Sequence, residues 1–224
     1  MKPTNKLSLA LAVLALAGCG GGSTSSGAHG ETTQQAATDG TNGGCTKAVA
    51  HAHPDGGYTD KHLKLDPGKT YRLVFETNCG SFTITLDPKL APNAAGSLVS
   101  LAQRGFFKDT FFHRIVPGFV IQGGDPTGQG NGGPGYATHD TVPANASYQH
   151  GVVAMAKTGA DPAGTAGSQF FVVTGQDAGL PAEYAVVGKV TSGLDVVDKI
   201  GRLGDPNQQP TENVVIANVK VVTS

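Results

Sequence analysis

One arginine interrupts an apolar run, "FFHRIVPGFVIQGGD" at residues 111–125, and two glutamines sit in similar settings: Gln122 in that run and Gln169 in "GSQFF". A buried unpaired cation is costly, so Arg114 either snorkels to water or has a purpose among its neighbours. Arginine and glutamine supply hydrogen bonds and no nucleophile. His113 is a candidate general base, yet no Ser or Cys is placed by sequence to use it. Ser168 lacks the Gly-x-Ser-x-Gly elbow of an activated serine. Gly128, Gly130 and Gly133 have the spacing of a dinucleotide fingerprint, but they run into Pro134 and Gly135 instead of a helix. Such an inventory suits gripping an extended peptide better than breaking covalent bonds.

The elements that must position these groups are mostly short strands. "YRLVFET" and "SFTITL" alternate apolar and polar residues around "NCG" and predict a hairpin, with Phe82, Ile84 and Leu86 on one face. "DPKLAPNAAGSLVSLAQRG" predicts a helix with Pro92 in its first turn and Gly105 ending it. Further strands are expected at "TFFHRIV", "FVIQ", "GVVAMA", "FFVVTG", "AVVGKV" and "NVVIANVKVV", with a second helix from Leu194 to Leu203. Many short strands with Gly/Pro turns and two helices point to a closed or nearly closed β-barrel with helical caps.

The chain has 224 residues, net charge -1 and 15% charged residues, which leaves no basic footprint for nucleic acid. At the N-terminus, Lys2 and Lys6 precede an apolar run from Leu7 to Ala17, far short of the ~20 residues of a transmembrane helix, so residues 1–18 read as a secretory signal. Leu16-Ala17-Gly18-Cys19 resembles a bacterial lipoprotein processing site. That resemblance implies a diacylglyceryl group on Cys19 and anchorage to a bacterial membrane outside the cytoplasm. Residues 19–69 read as a flexible, polar linker, and 70–224 as the folded domain. His51 and His53 stand in that linker without the further ligands that would complete a metal site. The remaining cysteines, Cys45 and Cys79, form an even pair in an exported chain and predict a disulfide.

From about Thr70 to Val222 the chain resembles the cyclophilins, the peptidyl-prolyl cis–trans isomerase family. "FFHRIVPGFVIQGGD", "GVVAMA", "GSQFFVVT" and "YAVVGKV" occur in family order with near-family spacing. The resemblance implies a mainly β fold, a closed eight-stranded antiparallel barrel capped by two α-helices. It places Arg114 on the catalytic arginine. It places Phe119, Val120 and Gln122 on the proline-pocket and backbone-binding positions, and Ala156 on the adjoining groove. Gln169 and Phe171 match the next pair, and Leu180 and Tyr184 the last wall, where other members use a histidine in place of Tyr184. Gly179 stands where many members carry tryptophan, a change that bears on substrate preference and cyclosporin-type inhibitor binding, and Lys157 stands where asparagine is usual, a change that backbone contacts can survive.

The activity implied is rotation about Xaa-Pro bonds of exported polypeptides, with no cofactor and with Arg114 hydrogen-bonding the pyramidal prolyl nitrogen. The same groove with little turnover would instead make a membrane-tethered proline-peptide-binding or holdase module. No feature signals oligomerisation, and a monomer is the default expectation.

Overall fold

The computed structural model describes residues 44–59 and 63–224. The expected signal peptide, the expected lipidation site Cys19 and the expected linker up to residue 43 lie outside the described residues, as does His62.

The elements follow the alternation in the sequence. Strands β1 (Tyr71–Thr77) and β2 (Gly80–Leu86) form the expected hairpin, with Leu73, Phe75, Phe82 and Ile84 turned inward. Helix α1 (Pro92–Gln103) begins with proline in its first turn, where the missing N–H costs nothing. Its N-cap residue, Ala91, has no side-chain acceptor to offer. The buried carboxylate of Asp140 does that work from across the fold, accepting the Asn93 and Ala94 N–H groups at 3.0 and 2.8 Å.

Then come β3 (Thr110–Phe111), β4 (Arg114–Val116), β5 (Val120–Gly123), β6 (Thr138–His139), β7 (Val152–Met155), β8 (Thr165–Ala166), β9 (Phe170–Val173) and β10 (Val186–Ser192). Helix α2 (Leu194–Gly201) and β11 (Val215–Thr223) complete the order. Nine segments form one strongly curled antiparallel sheet in the order β3-β11-β1-β2-β10-β7-β9-β5-β4, while β6 and β8 pair separately.

The first and last segments of that order, β3 and β4, are halves of the single strand expected at "TFFHRIV". At Phe111 the ladder partner is Val215 on β11, and at Arg114 it is Gln122 on β5. Phe112 and His113 make the corner between the two partners, both buried. Counting residues 110–116 as one interrupted strand turns nine segments into the eight of the expected barrel.

Alternation sorts the apolar residues into two clusters. Ile115, Ile121, Val153, Met155, Phe170 and Val172 point into the curl and join the main core beneath α1 and α2. Their neighbours Val120, Ala154, Phe171 and Val173 point outward and form a second, smaller cluster.

Residues 44–59 and 63–69 differ from the expected linker. Cys45 is disulfide-bonded to Cys79, as predicted. Main-chain N–H groups of His51, His53, Gly56 and Tyr58 donate to carbonyls of Asp109, Pro126, Gly133 and Pro134. The Tyr58 ring stands edge-on to Phe106 at 4.9 Å with Arg104 4.4 Å above its face. Farther on, Leu65 is buried, and the Leu63 backbone packs so close to Gly96 of α1 that a β-carbon there would collide with it. The folded unit therefore begins well before Thr70. This strap has no repeating pattern because it is held through its backbone, which leaves no signature in side-chain periodicity.

Candidate active site

The outward cluster and its polar rim make the site. Residue 122 of β5 faces the same way as Val120, and residue 114 of β4 is its ladder partner, so Arg114 and Gln122 both stand beside the outer apolar cluster. Here lies the reason a cation is tolerated in "FFHRIVPGFV": Ile115 enters the core while Arg114, one residue earlier, does not.

The guanidinium is fixed at two points. Arg114 Nε donates to Gln208 Oε1 at 2.7 Å, and Nη1 donates to Gln122 Oε1 at 3.3 Å. Gln122 Nε2 in turn donates to Gln169 Oε1, and Gln169 Nε2 to the Gly132 carbonyl, both at 2.9 Å. Partial burial draws the guanidinium pKa downward and the Tyr184 hydroxyl opposes this, but arginine stays charged across any accessible pH.

Six residues expected at the site are brought together around the outer cluster. Val120 and Phe171 lie in it, and Phe119, Ala156, Leu180 and Tyr184 pack against it. The Phe171 and Tyr184 rings meet edge to face at 5.6 Å. Gln122 and Gln169 also line an adjoining cleft of about 240 Å³, whose walls include Gly130, Gly132, Ala156 and Lys157. Gly179 is exposed with φ +60, and a β-carbon there would meet nothing within 4 Å. The left-handed backbone disfavours a bulky or β-branched residue at that position.

Lys157 closes one end. Its ammonium pairs with Glu183 at 3.0 Å, donates to the Thr158 and Asp161 carbonyls and lies 5.4 Å from the Tyr184 ring centre. The hydrogen bond to Glu183 is the main influence raising its pKa, so it remains a cation. It thus joins the loop after β7 to the Tyr184 wall.

Three contributors were invisible to sequence reasoning. Gln208 lies 94 residues from Arg114 in a turn with no motif. Tyr148, buried, donates its hydroxyl to the Tyr184 carbonyl and accepts the Tyr184 N–H, at 2.9 and 3.0 Å. Asp125, the "GGD" aspartate, is fully buried and organises the glycine-rich loop, accepting N–H groups of Thr127, Gly130 and Gly132 and the Thr127 hydroxyl. Above this loop sits buried His113. Desolvation is the main influence lowering its pKa, Arg114 lowers it further and Asp125 opposes, so the imidazole is neutral near pH 7.

For Asp125 the largest single influence is burial, which raises the carboxyl pKa, but the four hydrogen bonds together outweigh it and hold the pKa below the ordinary value. A pKa depressed on folding contributes stability above the unfolded-state value of roughly 3.9, and that contribution is lost as pH falls through the folded value. Asp125→Asn is therefore expected to lower the unfolding free energy by about 2 kcal/mol at pH 7, with the gap from wild type closing below about pH 4. Urea titrations across pH check this. A gap that stays constant down to acid pH would refute the carboxylate's role.

Comparison with known proteins shows the family. The family model for cyclophilin type peptidyl-prolyl cis-trans isomerase/CLD matches residues 72–221. A peptidyl-prolyl cis-trans isomerase-like 1 from Aspergillus fumigatus is 37% identical over 155 residues, covering 67% of this chain and 94% of that protein. A peptidyl-prolyl cis-trans isomerase from Helicobacter pylori is 40% identical over 150 residues, 61% of this chain and 90% of its own. The crystal structure of a cyclophilin type isomerase from Cryptosporidium parvum superposes with TM-score 0.63 at 30% identity, over 68% of this chain and 98% of that one. A second structure of it, in the presence of the dipeptide Ala-Pro, gives TM-score 0.62. With an outer apolar cluster, a fixed arginine beside it and a family match over residues 72–221, the chain belongs to the cyclophilin-type peptidyl-prolyl cis-trans isomerases.

Proposed function

We propose that this isomerase acts on Xaa-Pro bonds of exported polypeptides from a membrane-tethered position, with Arg114 donating a hydrogen bond to the prolyl nitrogen as the peptide bond twists. The observation that carries the reading is the fixed guanidinium beside the cluster containing Val120 and Phe171, with Nη2 unengaged among the described residues. In this reading the proline ring seats against Phe119, Phe171, Leu180 and Tyr184, while Gln122, Gln169 and the Ala156 backbone align the flanking chain.

Rotation needs no nucleophile. The planar amide delocalises its nitrogen lone pair, and the barrier is roughly 18–20 kcal/mol. In the twisted state that lone pair returns to nitrogen and accepts a hydrogen bond, so an aimed donor favours the transition state over the ground state. The apolar wall adds to this by excluding water that solvates the planar carbonyl.

The test is turnover of a proline tetrapeptide by the full chain, followed by protease-coupled absorbance or NMR exchange. Acceleration over the uncatalysed rate is expected. Binding without acceleration would favour the proline-peptide-binding or holdase reading. The tether is tested separately: Cys19→Ser is expected to move the protein from the membrane to the soluble fraction on cell fractionation, and an unchanged distribution would remove the lipid anchor from the proposal.

A further inference from the structure

The strap precedes the family-matched stretch, which begins at residue 72, and its residues 53–58 lie along the loop that borders the cleft lined by Gln122 and Gln169. Gly133 is gripped from both sides: its N–H donates to Asp55 Oδ1 at 2.8 Å, and its carbonyl accepts the Gly56 N–H at 2.9 Å. Flanking bonds run from His53 N–H to the Pro126 carbonyl at 2.7 Å and from Tyr58 N–H to the Pro134 carbonyl at 3.0 Å. The strap's start is stapled to the β1–β2 turn by the Cys45–Cys79 disulfide.

The neighbour of Gly133 is the residue that meets the site. Gly132 is buried, its N–H donates to Asp125 and its carbonyl accepts from Gln169, the glutamine that is linked through Gln122 to Arg114. Residues 130–133 contain three glycines and one asparagine, so almost no side chain is available to pack the loop in place. Backbone hydrogen bonds must hold it. Asp125 supplies them from inside and the strap supplies them from outside.

We propose that Asp55 is a positioning residue, and that the strap it belongs to sets the wall of the cleft that receives residues flanking the proline. The proposal rests on the isomerase site described above. It assigns the strap an effect on how extended peptides bind, while Arg114 on β4 and Phe171 on β9 keep their places through their own ladders with β5.

The experiment uses full-length Asp55→Ala and Asp55→Asn, the latter keeping an Oδ1 acceptor for the Gly133 N–H. Dissociation constants are measured by NMR titration for the dipeptide Ala-Pro and for proline peptides extended by two or three residues on both sides. Asp55→Ala is expected to bind extended peptides about three- to tenfold more weakly, with Ala-Pro affinity within twofold of wild type and with Asp55→Asn restoring most of the loss. Backbone amide shifts should change at Gly132 and Gly133 and not in β1. Reducing the disulfide of the wild-type chain frees the strap's other end and is expected to weaken extended peptides in the same selective way, which keeps the test informative should Asp55→Ala unfold.

Equal weakening of short and long peptides, no weakening of either, or failure of asparagine to rescue would overturn the proposal and leave the strap a stabilising element only. Wild-type turnover is recorded alongside. Its absence would count against the isomerase reading, whereas the binding comparison bears on the strap whether or not turnover is seen.

Discussion

Replacing Arg114 by alanine is expected to lower kcat for prolyl isomerisation by about ten- to a hundredfold, with KM changed by less than about threefold. The size follows from one charge-assisted hydrogen bond, worth about 1.5–3 kcal/mol, and a tenfold rate for each ~1.4 kcal/mol. The split between kcat and KM follows from where the bond forms. A planar prolyl nitrogen has no lone pair to offer, so the guanidinium contributes little to ground-state binding and most to the twisted state. Lysine at the same position is expected to recover little. Arg114 is aimed because Nε and Nη1 are each held by a glutamine, and an ammonium cannot reproduce that fork. Measuring kcat and KM by NMR exchange for both variants checks the argument. A loss confined to KM would mean that Arg114 anchors substrate and that the rate enhancement comes from the apolar pocket.

The same arginine shows how far the sequence could be read. A lone cation in an apolar strand was legible as an anomaly, whereas its place outside the core, with Ile115 turned inward beside it, came from the structure. The hairpin at 71–86 and α2 were legible because each buries one face and shows that face in its periodicity. Helix α1, buried on all sides from Ala94 to Ala102, was legible instead from Pro92 in its first turn and Gly105 beyond its end. What escaped were contacts made by backbone or by residues distant in sequence. Gln208 supports Arg114 from a turn in which nothing marks it. Tyr148 serves through its hydroxyl to the main chain of Tyr184, a pairing that side-chain pattern does not encode. The interruption at Phe112 and His113 was equally hidden, because a strand that changes partners keeps its composition. The strap escaped most completely: its polar, irregular sequence reads as linker, yet its N–H groups are spent on the folded domain.

Loss of the Cys45–Cys79 disulfide is expected to destabilise the folded unit by about 3.5–4 kcal/mol, as estimated from the chain entropy of closing a loop with a sequence separation of 34. For a domain of this size, each kcal/mol moves the unfolding temperature by roughly 2–4 °C, which gives a fall of about 8–15 °C. The bridge is well placed for that effect because Cys79 sits in the β1–β2 turn, buried against the core, while Cys45 begins a strap with few apolar anchors of its own. Crosslinking therefore restricts the unfolded chain where packing alone would hold it weakly. Calorimetry of the oxidised chain, of the reduced and alkylated chain and of Cys45→Ser gives the comparison. Cys45→Ser leaves the buried Cys79 side chain in place and so isolates the crosslink from the core. A shift of less than about 2 °C in both would show that the strap's backbone hydrogen bonds hold it without the bridge. A fall well beyond 15 °C would mean that the strap detaches with the disulfide and takes its contacts to the loop at 126–134 with it.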